Sequence, residues 1–282
     1  MQRMNSLLIM AGGASSRMKK SLENSSLSSD QKEVALRVHK SLIPLGKTQK
    51  PLLFHLISNA VAAGYTDVYL ITSPENEAFQ QWVGNARSNN SFAGAKVHFA
   101  IQHLSEGREK PLGTADAVEQ ALEQYPALLH ETFTICNGDN LYSSAAFKQL
   151  LQDRKAPNAL ISYARSGLKF SDERIAKFAV MDIDTEGFLK GIIEKPDQET
   201  AEKYRDDTGE IRVSMNIFSF QGAQLYPYLK NCPIHPERQE KELPNAIKLL
   251  NEKEPKQIQC FGRAEHILDL TAAQDIAAFE GI

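Results

Sequence analysis

The sequence predicts an α/β protein in which a parallel half precedes a mixed, strand-rich half. Three observations carry that reading. Short apolar runs rich in β-branched and aromatic residues alternate with longer amphipathic stretches through the first half of the chain, the pattern of a sheet with crossover helices. Further on, two such runs are joined only by the turn residues Asp184-Thr185-Glu186-Gly187, which reads as a hairpin. No repeat of solenoid period appears, and no hexapeptide array follows the α/β region.

In chain order, Leu7–Met10 is a strand because its apolar run ends in a stretch of small residues. Helix Pro51–Ala63 has Pro in its first turn and Gly64 as its stop signal. Val68–Thr72, Val97–Ile101, Phe133–Cys136 and Leu160–Tyr163 are strands, with helices Glu75–Trp82, Thr114–Gln124 and Ser144–Asp153 between them. The lone Trp82 is expected to pack on one face of its helix. Phe178–Ile183 and Phe188–Ile193 form the hairpin, Val213–Phe220 adds a strand, and helices Glu240–Asn251 and Thr271–Phe279 follow. The expected organisation is one compact domain with two lobes meeting at a cleft. Five serines between Ser21 and Ser29 precede a charged helix, Asp30–Arg37, and read either as a solvated insertion or as a lid over a ligand.

Composition narrows the function classes. The chain has 282 residues, with 32 Lys and Arg against 35 Asp and Glu, so its net charge is −3. Its basic residues are scattered rather than striped, which speaks against nucleic-acid and membrane partners. Cys136, Cys232 and Cys260 stand in no Cys-x-x-Cys spacing, so neither a disulfide framework nor a zinc site is indicated, and a reducing cytoplasm fits. The run Leu7–Ala11 behind Arg3 is shorter than the roughly 7 to 15 residues of a signal-peptide core, and no run approaches the roughly 20 of a membrane span.

The most informative segment is Leu7-Leu8-Ile9-Met10-Ala11-Gly12-Gly13-Ala14-Ser15-Ser16-Arg17. A strand running into small residues lets backbone N–H groups approach an anion, and Arg17 adds a forked donor for phosphate oxygens. It is neither a Walker A loop nor Gly-x-Gly-x-x-Gly. Further along stand His39-Lys40-Ser41-Leu42-Ile43-Pro44, Gln102, Leu112-Gly113-Thr114-Ala115-Asp116-Ala117-Val118, Asn137-Gly138-Asp139-Asn140, Glu194-Lys195-Pro196 and Leu268-Asp269. Asp139 follows an apolar strand, where open α/β sheets place ligands, and a hard cation prefers such an oxygen. Asp269 equally suits the N-terminal charge of the helix after it. His39 either touches phosphate or is a partly buried structural histidine. No His-Glu-x-x-His or Gly-x-Ser-x-Gly motif offers a competing mechanism.

This ordered set resembles the sugar-phosphate nucleotidylyltransferases over nearly the whole chain. The resemblance implies a Rossmann-like nucleotidyltransferase (GT-A-like) fold, three-layer α/β/α with a mixed central sheet and a smaller β-rich sugar-binding lobe. Residues up to about 160 would form the nucleotide-binding half and the rest the sugar-phosphate-binding half. By resemblance, Ala11, Gly12, Gly13, Gln102, Gly113 and Thr114 bind the nucleotide, and Arg17, Lys40 and Lys195 are catalytic. Asn137, Gly138, Ala179, Glu194, Lys195 and Asn216 hold the sugar phosphate, while Asp139 and Asp269 hold Mg²⁺. The implied reaction joins a nucleoside triphosphate, UTP or dTTP in preference to CTP, to a sugar 1-phosphate. A homo-oligomer is an open option. Phe178-Ala179-Val180 and Asn216-Ile217-Phe218 depart from the family's Tyr-Gly-Val and Gly-x-Tyr, Thr271 stands where Gly commonly follows the second metal Asp, and Lys40 comes 23 residues after Arg17. A cytidylyltransferase acting on a sugar phosphate or phosphocholine, and a catalytically silent regulatory module, remain as alternatives. A glycosyltransferase is disfavoured because Asn137-Gly138-Asp139 lacks an Asp-x-Asp pair.

Overall fold

The computed structural model describes residues 5–13, 15–25, 27–84 and 91–282; Arg3, Ala14 and Ser26 of the motifs above lie outside them. Each expected strand of the first half is present and runs one to three residues longer: β1 (Ser6–Met10), β2 (Asp67–Thr72), β3 (Ala95–Ile101), β4 (Thr132–Asn137) and β5 (Asn158–Ala164). The helices are α1 (Ser16–Ser21), α2 (Ser29–Arg37), α3 (Leu52–Ala63), α4 (Glu77–Val83), α5 (Thr114–Gln124) and α6 (Ser144–Leu150). Later come β6 (Val180–Ile183), β7 (Leu189–Ile193), β8 (Arg212–Gln221), α7 (Gly222–Lys230), α8 (Leu243–Lys253) and β9 (Ile258–Arg263).

Local chemistry accounts for the boundaries. Ser28 and Gln31 form a reciprocal capping box at the start of α2, satisfying two amides the helix leaves unpaired. Gly64 stops α3 in a left-handed conformation, its N–H returning to the last turn. Pro51 stands at the N-cap, one residue ahead of the expected first turn.

The chain divides into two units. The first comprises Met1–Ile101, Cys136–Phe147 and Ile267–Ile282. In it β1, β2 and β3 pair in parallel, with Leu8 beside Tyr69 and Leu70 beside Phe99. The last residues of β4 flank β1 on its other side, so the strand order β4-β1-β2-β3 reverses at β1. Such a reversal is where an open α/β sheet leaves room for a ligand beyond its strand ends. Met18, Leu22, Ala35, Ile43, Leu45 and Leu52 share one buried cluster with Leu270, Ala273, Ile276 and Phe279.

The second unit comprises Gln102–Ile135 and Lys148–His266. Its sheet is mixed: β5 pairs antiparallel with β8 and parallel with β9, and β6 pairs antiparallel with β7 and β8. Among the described residues, no helix is long and apolar enough to cross a membrane.

Three sequence expectations are corrected. Thr271–Phe279 is not an α-helix: Ala273–Phe279 is a 3-10 helix, tightened because the Asp275 carboxylate accepts the N–H groups of Thr271 and Ala272. Trp82 is 40% exposed, because α4 buries Phe79 and Val83 instead. The helix expected from Glu240 starts only at Leu243, with Pro244 in its first turn.

Candidate active site

In the first unit, two strand ends meet. The N–H of Ala11 donates to Ile71 O at 2.8 Å, carrying β1's register one residue further. Gly13 is exposed, and among the described residues nothing lies within 4 Å of where its Cβ would stand, so the turn faces open space. The N–H of Gly138, just past β4, donates to Met10 O at 3.0 Å, and a Cβ on Gly138 would stand 2.9 Å from that oxygen. Only glycine lets the chain pass so close, and the passage delivers Asn137, Gly138 and Asp139 to the end of β1.

The charged residues gather around that turn. Lys40 Nζ pairs with Asp139 Oδ2, and the two side chains are only 14% and 18% exposed. The Lys40 N–H also donates to Ser15 Oγ at 3.2 Å, tying it to the small-residue loop. Leu270 N–H donates to Asp139 O at 2.8 Å, and Asp269 stands opposite Asn140 in a two-residue antiparallel pairing. Asp269 Oδ1 accepts the Thr271 hydroxyl at 2.8 Å. Arg17, on α1, is exposed. The unit thus brings together the Gly12-Gly13 turn, Lys40, Asp139 and Asp269, residues up to 257 positions apart in sequence.

His39 takes the structural role. Its Nδ1 accepts the Ser41 N–H at 3.2 Å, and its ring lies 5.2 Å from that of Phe79. Burial, then the Lys40 charge, pushes its pKa from 6.5 down to about 4, with Asp139 opposing. A histidine kept neutral by the fold contributes fully above 6.5, and that contribution is lost as pH falls through about 4. We expect about 3 kcal/mol of stability to disappear across this window, and a His39→Gln variant to show a flatter acid limb in denaturation midpoints. An unchanged slope would sink this assignment. Burial also pushes the Cys136 thiol up, with the Asp139 charge adding to it, so this cysteine is no nucleophile at neutral pH.

In the second unit, Gln102 directly follows β3, and its Nε2 donates to Gly113 O at 2.9 Å and to Asp116 Oδ2 at 2.7 Å. Gly113 has φ +122°, and a Cβ there would run into the Lys241 carbonyl. That carbonyl accepts the Ala115 N–H at 3.0 Å, while Thr114 Oγ1 accepts the Leu243 N–H at 2.8 Å. Gln102, Gly113 and Thr114 are therefore one assembly.

Glu194 and Lys195 follow β7. Ala179 and Glu194 directly flank the paired residues Val180 and Ile193, and Ala179 O accepts the N–H of Ser214, two residues before Asn216 within β8, at 2.9 Å. Glu194 is open to water, yet enough protein surrounds its carboxyl to raise its pKa; the Glu242 charge adds to the rise, and Arg238, Lys195 and His235 oppose it. Lys195 holds φ +44°, a conformation costing on the order of 1 kcal/mol that persists only where surroundings impose it. Asn216 holds φ +55° where β8 departs from register with β5 between Ser214 and Phe218. Asn is the side chain that best tolerates such a bulge, which explains why it can stand in the place of glycine.

Sequence reasoning missed two contributors. Ser15 lay inside the quoted loop, but nothing in sequence linked it to Lys40. Asp116 lay inside the Leu-Gly-Thr-Ala-Asp segment, and only burial, at 7% exposure, reveals that it faces inward.

A solvent-facing turn of small residues, a lysine and two carboxylates thus gather at the reversal point of a parallel sheet in an α/β protein. The chain belongs to the nucleotidyl transferase family, whose sequence profile matches residues 7–277. It is 24% identical over 222 residues to glucose-1-phosphate adenylyltransferase 1 of Vibrio vulnificus strain YJ016, covering 79% of this chain and 50% of that protein. The same protein of strain CMCP6 matches with the same identity and coverage. The chain thus spans about half the length of the curated relatives it matches. Among solved structures, UDP-glucose pyrophosphorylase complexed with UDP-glucose matches with a TM-score of 0.70 at 16% identity, over 99% of this chain and 97% of that one. The family resemblance and the α/β fold class read from the sequence both hold.

Proposed function

We propose that this chain transfers a nucleotidyl group from a nucleoside triphosphate to a sugar 1-phosphate and releases pyrophosphate. The observation that carries the reading is the Lys40–Asp139 pair beside the open Gly12-Gly13 turn at the β1/β4 reversal. Loop amides and Arg17 take the triphosphate, and Lys40 takes the phosphates that leave. Lys195 takes the acceptor phosphate, and Glu194, Ala179 and Asn216 serve the sugar.

An oxygen of the acceptor phosphate attacks the α-phosphorus, and the bond to pyrophosphate breaks. A phosphate monoester has its second pKa near 6, so this nucleophile is already mostly dianionic at neutral pH and needs no protein base. The residues supply position and positive charge where two polyanions meet. Asp139 and Asp269 are oxygen donors of the kind Mg²⁺ takes in pairs, substrate phosphates and water completing its shell. Mg²⁺ held there would neutralise phosphate charge.

The resemblance favours UTP or dTTP, whereas the Vibrio vulnificus relatives are named adenylyltransferases. Pyrophosphate release with Mg²⁺ is the test, across ATP, GTP, CTP, UTP and dTTP against sugar 1-phosphates and phosphocholine. Release that requires one nucleotide and one sugar 1-phosphate is expected. Nucleotides that protect against thermal unfolding without any release would make the chain a binding module.

A further inference from the structure

We infer that Asp116 sets the choice of base by fixing Gln102 as a lone acceptor, which selects bases with an amine at purine C6 or pyrimidine C4, adenine or cytosine, over those with an oxo group there. The inference rests on the proposed nucleotidyl transfer and on Gln102 facing the base.

Gln102 is 6% exposed, beyond the carboxyl end of a parallel strand. An amide NH₂ has two hydrogens, and both are spent, on Gly113 O and on Asp116 Oδ2. The orientation is not interchangeable: a flipped amide would turn its oxygen toward the Gly113 carbonyl, which can only accept, and toward the Asp116 carboxylate. Asp116 is itself held. Gln120 Nε2 donates to Asp116 Oδ2 at 3.0 Å and to His103 O at 3.1 Å, while its Oε1 accepts the His103 N–H at 2.8 Å. Every polar atom of the Gln120 amide is thereby committed.

What remains of Gln102 is Oε1. Among the described residues it takes no hydrogen bond, and it is not sealed from solvent. A nearly buried amide with one unspent acceptor asks for a donor. The N6 amine of adenine and the N4 amine of cytosine supply one. The fork that would join an amide to both O4 and N3–H of uracil or thymine cannot form, because no N–H is left for O4; these bases keep only the N3–H bond and leave O4 unpaired. An oxo group set against Oε1 would oppose two acceptors.

Asp116 is a positioning residue in this scheme, so the readout is base selectivity. For the wild-type protein, kcat/KM for ATP or CTP is expected to exceed that for UTP, dTTP and GTP about tenfold or more. Asp116→Leu frees one Gln102 N–H and should shrink that ratio several-fold, mainly through KM of the oxo nucleotides. Asp116→Asn keeps an acceptor for Gln102 and should preserve the ratio. A wild-type preference for an oxo nucleotide, or an unchanged ratio in Asp116→Leu, would overturn the inference. Should no substrate pair release pyrophosphate, the transfer reading fails by itself, and the amino-over-oxo order is then read from equilibrium Kd values of the five nucleotides. If Asp116→Leu does not fold, the wild-type order decides. Binding of none of the five overturns both readings.

Discussion

Asp139→Asn is expected to lower kcat/KM for pyrophosphate release by about a hundred- to a thousand-fold, with the denaturation midpoint nearly unchanged. Asn keeps the shape of the side chain and an acceptor for Lys40, so the packing at the β1/β4 reversal survives. What disappears is the negative charge that orients the ammonium and would hold a cation, and losing one such preorganised contact costs about 2 to 4 kcal/mol in the transition state. Lys40→Met should behave differently. It leaves a carboxylate that is only 18% exposed without its cation, so stability falls by about 3 kcal/mol along with activity. Combining the two substitutions should restore most of the stability and none of the activity. Wild-type turnover in Asp139→Asn would remove Asp139 from the mechanism.

Gly113→Ala is expected to be the most damaging small change in the second unit, at about 2 to 4 kcal/mol by chemical denaturation. Two penalties coincide there. The backbone sits at φ +122°, which a Cβ strains, and the added methyl meets the Lys241 carbonyl. That carbonyl cannot retreat freely, since it accepts the Ala115 N–H while the Lys241 N–H donates to Leu112 O at 2.6 Å. The control is Gly209→Ala: the same left-handed half of conformational space, φ +77°, but nothing within 4 Å, so only about 1 kcal/mol is expected. Equal costs at the two positions would show that crowding at Lys241 is unimportant. Gly113→Ala should also weaken nucleotide binding, because Gly113 O holds Gln102.

The parallel strands were legible because apolar residues fill both faces of β1 and β2, leaving continuous runs such as Leu7-Leu8-Ile9 and Val68-Tyr69-Leu70-Ile71. β9 was not, since Ile258-Gln259-Cys260-Phe261-Gly262-Arg263 is mostly half-buried and carries no clear period. α7 hid behind Gly222 and Pro227, residues that argue against a helix until packing overrides them. Site residues carried by a local signature, such as the Gly12-Gly13 turn and the Gly138-Asp139 turn, could be named from sequence. The Lys40–Asp139 pair spans 99 positions and the Gln102–Asp116 bond joins a strand end to a helix, and no local pattern encodes such partnerships.

The buried cluster that joins Met18, Leu22 and Leu52 to Leu270, Ile276 and Phe279 bears on how the chain emerges from the ribosome. The Ala273 N–H donates to Ser21 Oγ at 2.8 Å, a bond between residues 252 positions apart. Domains tend to fold as units during synthesis, at about 5 to 20 residues per second. Here the unit begun by β1 must wait for Ile267–Ile282 while all of Lys148–His266, which belongs to the other unit, is translated. For that interval Met18, Leu22 and Leu52 lack the packing that Leu270, Ile276 and Phe279 later supply.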